Sequence, residues 1–462
     1  MFLDIDKKPS DRLAALDDVG NVASYGLMCE FARTFGKVVA PRALIFILAE
    51  NSIDSLLGYV GAMTSNVVPL ILSKNTNTVL LQTLISTYTP QYLWLPKDMA
   101  QQLGGSSVYE TETYSMLRLA ETSPTLHDEL AMLLPTSGST GSPKLVRHSM
   151  RNIEANAENV ARMFRITQED NPIASLPMHY TMGLSVISSH LYAGATLHLS
   201  SLSLTDMAFW RRMKQEHVTS FTGVPFSFEV LHKIRFFRMD LPDLRWIAQG
   251  GGKMSNDLFR ECAEYAERTG KLFYATYGQT ECTARMAYLP PELATKKTGS
   301  IGIAEPGGQL SIIDAEGNET FEGEAEGEMV FRGENVTLGY ATCVEDLQKG
   351  DENHGVMRTG DIARRDSDGC HYIVGRMKRF LKIFGLRIGL DEVENLVKSE
   401  FGCDCLCGGT DEMLRAIITN AEMLQQVKDF IVEKTHLYHS NIDVQYVAEI
   451  ARNEAGKVVM HQ

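Results

Sequence analysis

Two compact apolar runs of strand length, Leu44-Ile45-Phe46-Ile47-Leu48-Ala49 and Val67-Val68-Pro69-Leu70-Ile71-Leu72, are separated by a segment of helix length. A strand apolar on both faces must be covered on both faces, and a parallel partner requires a long crossover between the two. The alternation returns later. Thr219-Ser220-Phe221-Thr222 precedes a helical stretch from Phe226, Leu244 to Ala248 precedes Asp257 to Arg268, and Leu272-Phe273-Tyr274-Ala275-Thr276 follows. Strands alternating with helices predict an α/β fold of mainly parallel sheets flanked by helices. After about residue 299 the texture changes to short strands and Gly-rich turns, 299–313 and 328–340, which predicts a smaller β-rich subdomain. The acidic run Glu322-Gly323-Glu324-Ala325-Glu326-Gly327-Glu328 reads as a solvated turn.

A chain of 462 residues suggests two or three domains. Its net charge of −14 and the absence of a basic face argue against a nucleic-acid partner. No apolar run approaches the roughly 18 residues of a membrane span, and the start, Met1 to Lys8, lacks a basic region followed by an apolar one. The expectation is a cytoplasmic protein. Eight cysteines in this length form no disulfide framework. Cys403, Cys405 and Cys407 share one face if they lie on a strand, but one-residue spacing without a nearby histidine favours small core side chains over a metal site.

One run looks built to hold an anion: Pro135-Thr136-Ser137-Gly138-Ser139-Thr140-Gly141-Ser142-Pro143-Lys144. Glycines let backbone N–H groups turn inward, hydroxyls add donors and Lys144 adds a charge. A Walker loop requires Gly before its Lys and Ser or Thr after it. Here Pro143 and Leu145 stand at those positions, so that reading fails, while a flexible surface loop fits the composition equally well.

Four further constellations bear on the choice. Tyr277-Gly278-Gln279-Thr280-Glu281 closes a predicted strand, placing its polar groups at the carboxyl end of a parallel sheet, where Glu281 is a candidate magnesium ligand. Arg358-Thr359-Gly360-Asp361 precedes a turn and the strand His371-Tyr372-Ile373-Val374, which runs into Gly375-Arg376. A carboxylate such as Asp361 is able to accept both hydroxyls of a ribose. Lys378 to Ile388, containing Lys382, comes next, and Arg452-Asn453-Glu454-Ala455-Gly456-Lys457 comes last.

With these in place the chain resembles the adenylate-forming (AMP-binding) superfamily of acyl-CoA synthetases, carrier-protein adenylation domains and firefly luciferase. Residues 136–144 follow the family's Thr-Ser-Gly-Ser/Thr-Thr-Gly-x-Pro-Lys, and residues 277–281 its Tyr-Gly-x-Thr-Glu. Gly327, Glu328, Gly333, Gly339 and Tyr340 match a third signature; Thr359-Gly360-Asp361, Gly375-Arg376 and Gly456-Lys457 complete the set in the family's order.

The resemblance implies roles. Thr136, Ser137, Gly138, Ser139, Thr140 and Lys144 hold the β- and γ-phosphates of ATP, and Glu281 holds Mg2+. Tyr277, Gly278 and Thr280 belong to the nucleotide site, Gly251 and Gly252 to the glycine-rich segment lining the adenine and acyl sites, and Asp361 with Arg376 to the ribose. Lys382 contacts nucleotide or only solvent. Lys457 stabilises charge at the α-phosphate and carboxylate as they react. Tyr180, Phe221, Pro225 and Gly252 are implied pocket residues. The implied organisation is an N-terminal domain, 1–375, with its β-rich part at 299–375, and a small mobile α+β C-terminal domain, 376–462, hinged near Lys378.

The implied reaction activates a carboxylic acid to acyl-AMP with release of pyrophosphate, then passes the acyl group to the thiol of CoA or of a carrier protein's phosphopantetheine. Departures from the family pattern narrow this. Leu145 replaces the usual glycine after the loop, and Met178-His179-Tyr180 exchanges the family's aromatic and histidine, so that Tyr180 stands at the usual histidine position. Residues 175–189 contain no aspartate to hold an ammonium, which favours an acid without an α-amino group. An acyl- or aryl-CoA synthetase is the leading expectation and an acyl-AMP ligase serving a carrier protein the next. A catalytically silent nucleotide-binding protein would lack the lysine or a loop threonine, and neither is missing.

Overall fold

The computed structural model describes residues 1–103, 106–135, 144–377, 379–383, 386–410, 412–435 and 437–452. The chain divides into two compact units, one of Met1–Gln309 with Arg332–Met357 and the other of Leu310–Phe331 with Arg358–Gln462.

The first unit carries two large sheets. In one, Leu130–Pro135, Val68–Ser73, Leu44–Ala49 and Tyr92–Pro96 run parallel, with antiparallel strands added at both edges. All six residues of Leu44–Ala49 are buried, as a strand covered on both faces requires. In the other, Leu272–Tyr277, Trp246–Gln249, Ser220–Gly223, Pro172–Ala174, Leu197–Leu199 and Leu13–Leu16 run parallel in that spatial order. The chain therefore steps from Pro172–Ala174 to one side and then crosses to Ser220–Gly223 on the other. A crevice opens at the carboxyl ends of two strands where the winding reverses in this way, and ligands of open α/β sheets bind there. The segments that leave that edge are 175–180, 224–225, 250–255 and 278–281.

Helices Met150–Phe164 and Thr181–Ala193 pack against one another, and the apolar stripe of each reaches the core. The first begins with a capping box: Ser149 Oγ accepts from Asn152 N at 3.1 Å and Asn152 Oδ1 accepts from Ser149 N at 2.8 Å. Asn152 Nδ2 then donates to Glu334 O and Val336 O at 2.7 and 2.8 Å, fastening a later segment to this helix start.

The second unit contains a five-stranded sheet in the order Glu319–Thr320, Gln309–Ile313, Ala325–Arg332, Val356–Arg365 and His371–Arg376. It continues through the strand pair Phe380–Ile383 and Leu386–Gly389 to helix Leu390–Phe401, helix Leu424–Thr435 and a three-stranded sheet. Val393, Val397, Val427 and Ile431 close its core. The α/β class with a β-rich part and a C-terminal α+β part is the architecture expected. The acidic run departs from expectation over its last four residues, which lie in strand Ala325–Arg332, and Glu328 is buried and accepts from Arg358 Nε at 2.8 Å. Cys403 and Cys407 are core residues, and no cluster of three or more His, Cys, Asp or Glu side chains placed to hold a metal occurs among the described residues. No helix among them is long and apolar enough to cross a membrane.

Candidate active site

The Tyr277–Glu281 motif is a reversal of the chain fixed by backbone contact. Thr283 and Ala284 adopt left-handed conformations, with φ of 52° and 89°, and Met286 N returns to Tyr277 O at 2.9 Å. A Cβ at Gly278 would lie 1.6 Å from Ala284 O, so glycine is required by the closeness of the two backbones. Left-handed non-glycine residues cost energy and persist when their surroundings over-determine them. Here Asn335 supplies that constraint. Its Nδ2 donates to Cys282 O, Arg285 O and Glu305 Oε1 at 3.0, 2.9 and 2.7 Å, while its carbonyl accepts from Thr283 Oγ1 at 2.8 Å. Thr337 adds two bonds to Glu281 O, from N at 3.0 Å and from Oγ1 at 2.9 Å. Asn335 and Thr337 are wholly buried. Beneath the turn, burial pushes the Glu305 carboxyl well above the usual range and brings the Arg285 guanidinium down to about 10.

Glu281 caps no helix; its side chain joins a three-membered array. The hydroxyl of Tyr340 donates to Glu281 Oε1 at 2.7 Å, and the ammonium of Lys144 sits over the Tyr340 ring, 3.4 Å from its centroid. A cation over an aromatic face is attracted by the ring quadrupole. Burial, followed by the neighbouring Glu281 charge, raises the Tyr340 hydroxyl above its ordinary value and keeps it a donor. The array has a fixed base. Strand Gly339–Ala341 pairs with Leu145–Ser149, Tyr340 opposite Val146, and the buried Arg147 donates to Tyr340 O and Leu338 O, both at 2.9 Å. His148 on the same strand is buried and held down to about 4 by desolvation, hence neutral.

Around the crevice, Thr181 Oγ1 donates to Thr280 Oγ1 at 2.9 Å, tying the start of helix Thr181–Ala193 to the motif. The Tyr180 ring packs on His179 with centroids 4.5 Å apart. A Cβ at Gly183 would fall 2.3 Å from Pro177 O, so this helix is pressed directly on the loop that carries Tyr180. Gly251 has φ of 78°, and a Cβ at Gly252 would come within 3.3 Å of Pro225 Cγ. Phe221 is buried with its ring against Phe209 and Phe228.

In the second unit Asp361 and Arg376 stand opposite each other on adjacent antiparallel strands, with Arg376 Nε 3.0 Å from Asp361 Oδ1. Asp361 is buried, whereas the Arg376 side chain is 60% exposed. Thr359 Oγ1, which donates to Met329 O at 2.7 Å, accepts from Asp361 N at 3.1 Å.

The structure thus brings Lys144, Thr280 and Glu281 into one neighbourhood of the first unit, and pairs Asp361 with Arg376 in the second. Thr136, Ser137, Gly138, Ser139 and Thr140, the hinge residue Lys378, Lys457 and the side chain of Lys382 lie outside the described residues. Pro135 and Leu145, which flank the run predicted to hold phosphate, are partners in adjacent antiparallel strands. Sequence reasoning gave no role to Asn335 and Thr337 and counted Tyr340 only as part of a signature. Three polar residues, Glu334, Asn335 and Thr337, lie between Gly333 and Gly339, and nothing local in that stretch marks Asn335 and Thr337 as the buried ones.

The sequence model of the AMP-binding enzyme family matches residues 24–341. Among curated proteins, the oxalate–CoA ligase of Arabidopsis thaliana is 32% identical over 58% of this chain and 52% of its own length. The indoleacetate–CoA ligase of Aromatoleum aromaticum is 33% identical over 57% of the chain and 50% of its own length. The chain spans about half the length of these relatives. The o-succinylbenzoate CoA synthetase of Bacillus subtilis, solved with its acyl-adenylate intermediate, superposes with a TM-score of 0.78 at 20% identity, covering 99% of this chain and 96% of that one.

Proposed function

The chain belongs to the AMP-binding enzyme family, and on that footing we propose that it activates a carboxylic acid with ATP and transfers the acyl group to the thiol of CoA. The observation that carries this reading is the array of Lys144, Tyr340 and Glu281. It sets a phosphate-type cation and a hard carboxylate ligand on one tyrosine, in the unit whose parallel strands are followed by 175–180, 250–255 and 278–281. Glu281, half-buried and an oxygen donor, has the chemistry Mg2+ prefers, and bound Mg2+ supplies charge neutralisation on the phosphates.

In this proposal Thr136, Ser137, Gly138, Ser139, Thr140 and Lys144 grip the β- and γ-phosphates. Asp361 and Arg376 take the ribose, and Tyr277, Gly278 and Gly251 border the nucleotide. The carboxylate of the acid attacks the α-phosphorus and pyrophosphate leaves. Lys457 stabilises the charge that develops there, and donors aimed at developing charge are often the largest catalytic contribution. CoA sulfur then attacks the activated carbonyl and AMP leaves. Tyr180, Pro225 and Gly252 border the acyl group, and with no carboxylate in 175–189 to hold an ammonium the acid lacks an α-amino group. The part from 376 onward moves about Lys378 between the two half-reactions.

The test is acid-dependent exchange of labelled pyrophosphate into ATP across a panel of aliphatic, aromatic and dicarboxylic acids, followed by competition between CoA and a pantetheinylated carrier protein. Exchange with at least one acid and preference for CoA are expected. Absence of exchange with every acid would sink the adenylating role, and preference for the carrier protein would replace the acceptor.

A further inference from the structure

Lys144 and Glu281 carry opposite charges, and the simplest arrangement of two such neighbours would be a direct ion pair. The structure holds something else between the two. The Tyr340 ring seats the Lys144 ammonium at 3.4 Å from its centroid, and the Tyr340 hydroxyl donates to Glu281 Oε1 at 2.7 Å. We propose that Tyr340 is a positioning residue, a wedge that holds the phosphate-binding cation and the metal-binding carboxylate apart so that the nucleotide site stays open before nucleotide arrives. The inference rests on the nucleotide-binding reading above and adds to it a residue which that reading leaves without a task.

Three observations support a wedge over a chance contact. The first is that Tyr340 cannot drift as a unit: its backbone lies in a strand opposite Val146, and its carbonyl accepts from Arg147 Nε at 2.9 Å. Arg147 itself is wholly buried and donates further to Leu338 O at 2.9 Å and to Gly350 O at 3.1 Å. The second is that Glu281 is fixed at its backbone by Thr337, so its carboxylate approaches from a set direction. The third is that the two contacts use different parts of one side chain, the ring face for the cation and the hydroxyl for the anion, so one residue satisfies both charges without letting them meet. Each partner is one that a phosphate oxygen or a metal ion would outcompete, since charged ligands bind these groups more strongly than a ring or a neutral hydroxyl does.

The test uses the full chain and equilibrium binding of ATP, measured by calorimetry with Mg2+ and with EDTA, with a thermal melt to check folding. Tyr340→Phe keeps the ring and removes the hydroxyl. It is expected to leave metal-free ATP affinity within about twofold and to raise the Mg2+ concentration needed for tight binding about tenfold. Tyr340→Leu removes the wedge and is expected to lower metal-free ATP affinity about tenfold or more, because Lys144 pairs with Glu281. Adding Glu281→Gln to Tyr340→Leu removes that competitor and restores metal-free affinity to the level of Glu281→Gln alone. A merely structural tyrosine would not give this restoration. A folded Tyr340→Leu protein that binds metal-free ATP like the wild type overturns the wedge alone. Failure of the wild type to bind ATP under either condition overturns the nucleotide reading and the wedge with it.

Discussion

The two carboxylates assigned to nucleotide are built in opposite ways. Glu281 stands on a turn whose backbone is clamped by the buried Asn335 and Thr337, and its side chain is set by Tyr340. Asp361 is more buried than Glu281, but the described ion-pair partner it meets across the strands is Arg376, whose head is mostly in solvent. Pairing with a solvent-exposed cation contributes at most about 1 kcal/mol and exchanges readily. Buried polar hubs behave differently, since removing one leaves several groups without partners. The lesson is that rigidity is concentrated at the carboxylate proposed to meet a metal, whereas the described ion pair at the position proposed for the ribose is one that a ligand can replace.

That contrast is open to attack in order of expected effect. The largest change is expected at Lys457. Lys457→Ala should lower adenylation by about 10²- to 10³-fold, the scale of losing one preorganised donor, while sparing thioester formation from preformed acyl-adenylate and leaving the melting temperature unchanged. Equal loss in both half-reactions would remove the assigned role. Next, Asn335→Ala should cost about 3 kcal/mol of unfolding free energy, because two buried backbone carbonyls and a buried carboxyl lose their donor. Urea denaturation measures this, and a cost below about 1 kcal/mol would show that the clamp is not what sets the turn.

A third effect is acid sensitivity. His148, His190 and His198 are each brought down to about 4 by burial, against an ordinary value near 6.5. The unfolded chain therefore binds protons below pH 6.5 that the folded chain refuses until about pH 4. Stability is fully present above 6.5 and falls as pH drops between those values, by up to about 1.4 kcal/mol per pH unit for each histidine. Urea midpoints taken from pH 7.5 to 5 should be flat and then decline, and a flat profile throughout would contradict the burial of neutral imidazoles. The smallest stability effect is expected at Arg376→Ala: less than about 1 kcal/mol, with a rise in KM for ATP and a kcat close to wild type. A large loss of stability there would erase the difference between the two carboxylates.

Much of the frame was legible in the sequence, because apolar runs of strand length and turn glycines are local signals. Leu44–Ala49, Asn256–Thr269 and Leu272–Tyr277 fall at or within two residues of where the pattern put them. The motif around Glu281 was legible too, as chemistry. What the sequence did not disclose was the support beneath it. Asn335 reaches Cys282 and Arg285 across some fifty positions of chain, and nothing local in an Asn-Val-Thr triplet distinguishes a buried hub from an exposed turn. Glu305 likewise reads as a surface charge until folding encloses it with Asn335. Such pairings depend on which strands become neighbours, and that is decided by the whole sheet order rather than by any window of residues.

The absence of room at Gly183 matters for redesign. The start of helix Thr181–Ala193 abuts Pro177 so closely that even a methyl group is excluded, and the path of the main chain past Tyr180 is thereby set. On the proposed reading, variation in which acids are accepted is to be sought by exchanging side chains at Tyr180 or Pro225, and a substitution at Gly183 is expected to disturb the fold in place of giving new selectivity.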